Sequence, residues 1–400
     1  MKAYYELVEF WDLLTLPVYF GLIYLLLYGI GKKLLLPDGR YLKIHLLALL
    51  LFYLIIGLVD FKIKLIPFFP DTGLFTRILE TGVTPDNQSL GVRIGYKFLA
   101  IPIYWLSLTS IFNYFLFNVL FFQLGLILIA AAYIRIFKVT EVWFQRFFLS
   151  LSVFMPSIII YSFTPLRESY FALALGLFFY GLSRPSLFNF FLILGFVLAA
   201  ILRVQLVLYF SAVLGLKLLY DLPWKQTTKW LTVLVLFPVG FLVLNVISKN
   251  LLNIEISPAS LSLFRNIQRI NYFETGVTYP EVDWNSWLDL ILAFPGLFFQ
   301  FLLAPFPVLV FIPFWTKIAY FADGLYLLLI LFFLVIGLKS LSTRGIWILF
   351  IVVYVAMSGF FEFHLLGAVR HRLPATLFLI ALAAESLVHY LPRLRWFFRY

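Results

Sequence analysis

The sequence predicts an all-α polytopic membrane protein with about eleven transmembrane helices plus interfacial or re-entrant helices. Three observations lead there. The chain is 63% hydrophobic and only 12% charged, with a mean hydropathy of +1.01. Apolar runs of roughly 16–24 residues, the length that crosses a bilayer core, recur along it. The loops between those runs divide sharply by charge. A soluble chain of 400 residues does not bury that much apolar surface, and lipid cannot satisfy an open backbone, so the crossings must be helices.

The runs lie near 13–31, 43–60, 111–134, 147–163, 169–182, 188–203, 204–220, 230–248, 320–338, 345–362 and 373–391. The pairs 147–182 and 188–220 are short for two crossings each, which predicts tilt or bending. A further apolar region, 288–316, is broken by Pro295, Pro305, Pro307 and Pro313 and flanked by Trp284, Trp287 and Trp315. Prolines and belt tryptophans there fit interfacial or re-entrant helices better than one straight span. Residues 1–400 read as a single transmembrane domain without a linker or internal repeat. Glu6, Glu9 and Asp12 precede the first run, where a cleavable leader would be basic.

Charge orients the bundle. The segments 31–43, 135–146, 183–187, 217–229, 339–344 and 392–400 hold sixteen basic residues against Asp38, Glu141 and Asp221, and this side is expected to be cytoplasmic. The N-terminus then lies outside and the C-terminus inside, with two long outer segments at 61–110 and 249–319. The net charge of +11 is thus a topology signal, and no nucleic-acid partner is expected. Absence of cysteine excludes a disulfide framework, an iron–sulfur cluster and a thiol nucleophile.

The first outer segment contains Phe69-Pro70-Asp71-Thr72-Gly73-Leu74-Phe75-Thr76-Arg77-Ile78-Leu79-Glu80-Thr81-Gly82. Leu74, Phe75, Ile78 and Leu79 have helical spacing, and Asp71 falls at the N-terminal end, where the dipole favours negative charge. Asp71 reads equally as an N-cap at the interface and as a carboxylate poised to act as general base or metal ligand. Further along, Thr164-Pro165-Leu166-Arg167-Glu168 delivers an ion pair between two apolar runs. Arg167 either snorkels with Glu168 as its partner or faces the interior and offers its planar fork to a phosphate.

Arg203 interrupts two runs almost without a loop, where a lipid-facing charge would be costly. Arg370, His371 and Arg372 stand at the mouth of the last span on the outer side, against the usual cytoplasmic preference. They suit an anion site or a headgroup anchor. In the second outer segment Tyr272, Glu274 and Trp284, with Arg265 and Arg269, interleave aromatic, acidic and basic groups in a pattern that suits a sugar-like ligand and also ordinary interfacial loops. The four histidines, His45, His364, His371 and His389, form no His-Glu-x-x-His pattern. Nor is there a Gly-x-x-x-x-Gly-Lys loop or a Gly-x-Ser-x-Gly elbow.

Taken together, PDTGLFTRILETG, PSIIIYSFTPLRESYFALALG, LLAPFP at 302–307 and RHRLPATLFLIALAA resemble segments of the GT-C superfamily of integral-membrane glycosyltransferases. The likeness is to bacterial members related to protein mannosyltransferases and aminoarabinose transferases, of the polysaccharide-locus type. It covers most of the chain from about residue 43. Many members carry an Asp-Glu pair where this chain has Asp71-Thr72.

The resemblance implies a GT-C-like fold in the cytoplasmic (inner) membrane and a polyprenyl-phosphate-linked sugar donor. Asp71 would be the base of an inverting transfer, and Arg167, Arg203, Arg370 and Arg372 would hold the donor phosphate. Glu168 and His371 would support them, and Tyr272, Glu274 and Trp284 would meet acceptor or sugar. The acceptor hydroxyl would belong to a glycan, a lipid or a protein. It implies no certain cofactor, and a divalent cation is compatible with it. A polysaccharide polymerase or ligase, a transporter of lipid-linked sugars and a noncatalytic scaffold are the alternatives.

Overall fold

The computed structural model describes residues 10–63, 70–82, 90–186, 189–225, 255–271, 278–306 and 314–390, with isolated positions between 227 and 249. These residues are mostly helical, with turns, irregular stretches at 255–257 and 279–286, and one isolated β-bridge, Thr278 to His364. Five helices are long and apolar enough to cross a membrane: Phe10–Leu34, Gly39–Asp60, Ile111–Phe137, Ile318–Ile336 and Ser342–Gly359. A sixth crossing arises if Val142–Val153 and Pro156–Phe163, which meet at 70°, form one broken span. The all-α membrane class follows directly. Most of the expected run 230–248 lies outside the described residues.

The chain divides into two compact units, one made of 1–210, 325–343 and 376–400, the other of 211–324 and 344–375. The first is built around α5 (Ile111–Phe137). Ser110 caps this helix, its side chain accepting from the Asn113 N–H at 3.2 Å. Lys138 ends it in the left-handed region, and with Arg135 it sets positive charge against the negative end of the dipole. Against α5 pack α1 (Phe10–Leu34) and α8 (Glu168–Leu182), and α9 (Phe190–Leu202) lies on α8. The α5–α8 crossing depends on two glycines. A Cβ on Gly125 would stand 2.3 Å from the Ala172 carbonyl oxygen, and one on Gly176 would stand 2.6 Å from that of Gly125.

Between α5 and α8 the expected run 147–163 is two helices, α6 (Val142–Val153) and α7 (Pro156–Phe163). Pro156 opens α7, where its missing N–H breaks the ladder and permits the bend. Of the first outer segment, the structure describes α3 (Pro70–Thr81) and α4 (Leu90–Leu106). Phe75, Ile78 and Leu79 are buried on α3, as their spacing predicts, and so is Thr76, while Arg77 and Glu80 are exposed; the side chain of Leu74, the fourth member of the predicted face, lies outside those described. Gly82, at φ +64°, ends the helix by donating its N–H to the Ile78 carbonyl at 2.9 Å. α2 (Gly39–Ile63) and α10 (Val204–Asp221) complete the N-terminal series.

The second unit contains α11 (Pro258–Asn271), α12 (Trp287–Leu302), α14 (Gly345–Gly359) and α15 (Leu365–His371), while α13 (Phe314–Ile336) and α16 (Leu373–Tyr390) belong partly to each unit. Ser286 and Asp289 form a reciprocal capping box at the start of α12. The predicted break at Pro295 does not end α12, which carries this proline internally and runs on to Leu302. Along it packs α14, whose Gly359 lies within 3.3 Å of the Leu297 carbonyl when given a Cβ.

Candidate functional site

In the first unit, three of the elements singled out in the sequence come together. Asp71 is the second residue of α3; its side chain lies outside those described. One turn on, the Phe75 ring has the Arg167 guanidinium carbon 5.7 Å from its centre. Arg167 is buried between α7 and α8 and donates from Nη1 to the Leu202 carbonyl at 3.2 Å. The next residue is Arg203, the single extended residue separating α9 from α10. Its guanidinium lies 5.0 Å from the Phe171 ring centre. Helix α3, Arg167 and the Arg203 break are therefore neighbours, although Phe75 and Arg203 are far apart in sequence.

Helix α4 supports that neighbourhood. The Phe75 and Tyr96 rings meet edge to face at 4.5 Å. A buried series of hydroxyls runs from Tyr96 to Tyr114 at 2.8 Å and on to Tyr170 at 3.3 Å. Burial pushes the Tyr96 phenol well above its ordinary range, with Tyr170 and Glu168 reinforcing the shift and Arg167 opposing it. Glu168 is buried at the start of α8. This is a dry, cation-bearing environment in which a fixed charge acts strongly.

The second unit holds a different cluster. Glu362 sits in the turn after α14 and is buried. One of its carboxylate oxygens meets His371 Nδ1 at 2.6 Å, and the other accepts the His364 backbone N–H at 3.1 Å. His364 caps α15, its Nδ1 accepting the Gly367 N–H at 3.0 Å. That ring must therefore be unprotonated at Nδ1, and burial lowers its pKa against the opposing pull of Glu362. Burial alone would raise the Glu362 carboxyl, but the charge and hydrogen bond of His371, with His364, outweigh it and hold it below its usual range. A Cβ at Gly367 would stand 2.8 Å from a Glu362 oxygen, so a side chain there would displace that carboxylate.

Arg372, expected at the donor phosphate, is fully enclosed. Its Nη1 donates to the Leu302 carbonyl at 2.7 Å and to that of Ala304, and its Nη2 pairs with buried Asp323. Arg370 is half-buried on α15, and the Tyr354 hydroxyl donates to the His371 carbonyl at 2.6 Å. Arg265 is buried with Nη1 on the Gly359 and Phe360 carbonyls, and burial lowers its pKa to about 10, opposed by Glu362 and Tyr279. Burial likewise raises the Tyr279 phenol; its hydroxyl donates to Gln300 and its N–H to Phe363. Trp284 is buried against Leu290 and Leu297. Tyr272 and Glu274 lie outside the described residues.

Glu362 and Asp323 are the members that sequence reasoning missed. A lone acid within or beside an apolar run is the available signal, because such a charge needs a partner. Among the described residues, no group of three His, Asp or Glu side chains is placed to hold a metal ion. No protein-family model, curated protein or solved structure matches the chain.

Proposed function

We propose that the chain is a GT-C-type glycosyltransferase that moves a sugar from a polyprenyl-phosphate carrier to an acceptor hydroxyl at the outer face of the cytoplasmic membrane. The reading includes about eleven crossings, an outer N-terminus and a cytoplasmic C-terminus. One observation supports it most: Arg167 lies against Phe75, one turn beyond Asp71, and bonds to the residue preceding Arg203. Displacement at a sugar–phosphate bond requires a carboxylate and positive charge at the phosphate, and α3 carries Asp71 one turn from the ring that the buried Arg167 faces.

In the proposed step the acceptor oxygen attacks the anomeric carbon and its proton passes to the Asp71 carboxylate. The bond from that carbon to the carrier phosphate breaks, and its electron pair leaves on the phosphate oxygen. Configuration at the carbon inverts. Arg167 and Arg203 hold the phosphate while its charge develops, an effect that commonly contributes about 3–4 kcal/mol per preorganised donor. Arg372 sets the turn before α16 through Asp323, with His371 held beside it by Glu362.

The test is Asp71→Asn in purified, reconstituted protein supplied with a polyprenyl-phosphate sugar. Transfer should fall by about 10²–10⁴-fold, the usual contribution of a general base, while helical content and donor binding stay as in the wild type. Full turnover by that variant would remove the base assignment. Its loss together with donor binding would point to a structural role.

A further inference from the structure

Helix α11 is amphipathic, but it is turned the opposite way from a helix that lies against water. Its polar side faces the protein. Arg265 is 2% exposed and Ser262 6%. Asn266 pairs with both backbone groups of Val282, at 2.7 and 3.2 Å. Arg269 donates to the Tyr279 carbonyl at 2.9 Å and to Glu281 at 2.6 Å. The other side presents Leu263 at 60%, Phe264 at 47%, Ile267 at 47% and Ile270 at 61% exposure. Positions 263, 267 and 270 follow the helical repeat, so they form one stripe. On a helix facing water the two sides would be exchanged.

We infer that bilayer acyl chains cover this stripe, and that α11 is a membrane-embedded element and not part of an aqueous loop. The stripe does not stand alone. On α12, Leu290 and Leu297 face inward, whereas Leu288, Ile291, Leu292 and Phe299 are exposed. That helix packs along α14, within a segment long and apolar enough to cross the membrane. The stripe thus stands on a helix packed against α12, which itself packs along a helix long and apolar enough to cross the membrane. A protein partner would call for a polar rim around an apolar centre. Among the described side chains of α11 every fully exposed one is apolar, and the arginines and Asn266 are turned inward.

Length fixes the attitude. Fourteen residues rise about 21 Å, short of a hydrocarbon core of about 30 Å. Such a helix lies along the membrane boundary instead of crossing it. The inference is independent of the transfer reading. It also changes the part of Arg265 and Arg269, which a polar loop would offer to a sugar and which here pin α11 to the protein.

Because the chain has no cysteine, single-cysteine variants need no prior background changes. Leu263→Cys, Ile267→Cys and Ile270→Cys would each carry a nitroxide in protein reconstituted into phosphatidylcholine–phosphatidylglycerol vesicles, with exposed Asp283→Cys as the aqueous comparison. Power saturation by oxygen, which concentrates in hydrocarbon, is then compared with saturation by a water-soluble nickel chelate. The expected result is an oxygen-to-nickel accessibility ratio above one at all three stripe positions and below one at 283. A ratio at the stripe matching that at 283 would overturn the inference in favour of water. Immobilised labels closed to both reagents would overturn it in favour of a second copy or another protein.

Discussion

Replacing Arg372 with methionine should be among the most damaging single changes in the second unit. The side chain keeps its length, yet Asp323, 1% exposed in its side chain, is left without its guanidinium. The carbonyls of Leu302 and Ala304 also lose a donor. Removing one member of a buried ion pair costs about 3–5 kcal/mol, mostly because the remaining charge stays buried. A stranded carbonyl adds up to about 1–3 kcal/mol. A loss of 3 kcal/mol is already more than a hundredfold in the unfolding constant, at about 1.4 kcal/mol per decade. The partnered change Arg372→Met with Asp323→Leu removes the stranded charge and should recover most of that loss, leaving the carbonyl contribution of about 1–3 kcal/mol. Unfolding in mixed micelles, followed by the fluorescence of the ten tryptophans, reads both quantities. A single variant within about 1 kcal/mol of wild type, the range of an exposed pair, would refute the buried-pair reasoning. So would a double variant no more stable than the single one.

Acidification should loosen α15 before the rest of the second unit. The His364 ring is held neutral with its pKa lowered by burial from 6.5, so the unfolded chain binds the extra proton and stability falls as pH drops below about 6.5. Glu362, also held below its ordinary 4.5, adds a loss of the same sign at still lower pH. Protection of amides over 362–372 in nanodiscs, after correction for the slower intrinsic exchange at low pH, should therefore fall on acidification, and protection unchanged from pH 7 to about 5 would contradict the capping role of His364. In the first unit, Gly125→Ala should destabilise by about 1–3 kcal/mol, because its Cβ meets a backbone oxygen that cannot move aside as a side chain would. The same micelle unfolding measures it, and a neutral result would mean that the α5–α8 crossing can spread.

Helix α3 and the interruption at Arg203 were legible because each has a local cause: helical spacing in the first, a charge between two apolar runs in the second. The break at Pro156 was not read, because the run 147–163 is apolar on both sides of it. The Glu362–His371 contact was only half legible: His371 stood out in a basic cluster, whereas Glu362 sits nine residues away across a short helix. Asp323 and Arg372 are 49 positions apart, and a pairing at that separation leaves no periodic trace. The orientation of α11 was hidden for another reason. Its pattern is plainly amphipathic, but periodicity does not say which side meets the protein, and in lipid the usual rule inverts. Arg265 and Arg269 consequently read as ligand groups when their hydrogen bonds run inward.

The most direct test of the central claim is a double-mutant cycle on binding of polyprenyl phosphate, without its sugar, to protein in nanodiscs. The variants are Arg167→Gln, Arg203→Gln and the two together. If both guanidiniums grip one phosphate, each single change should weaken binding by about 10- to 100-fold, the worth of a charged hydrogen bond. The two losses should then be coupled by more than about 0.5 kcal/mol. Wild-type affinity in both singles, or losses that simply add, would contradict a shared phosphate site.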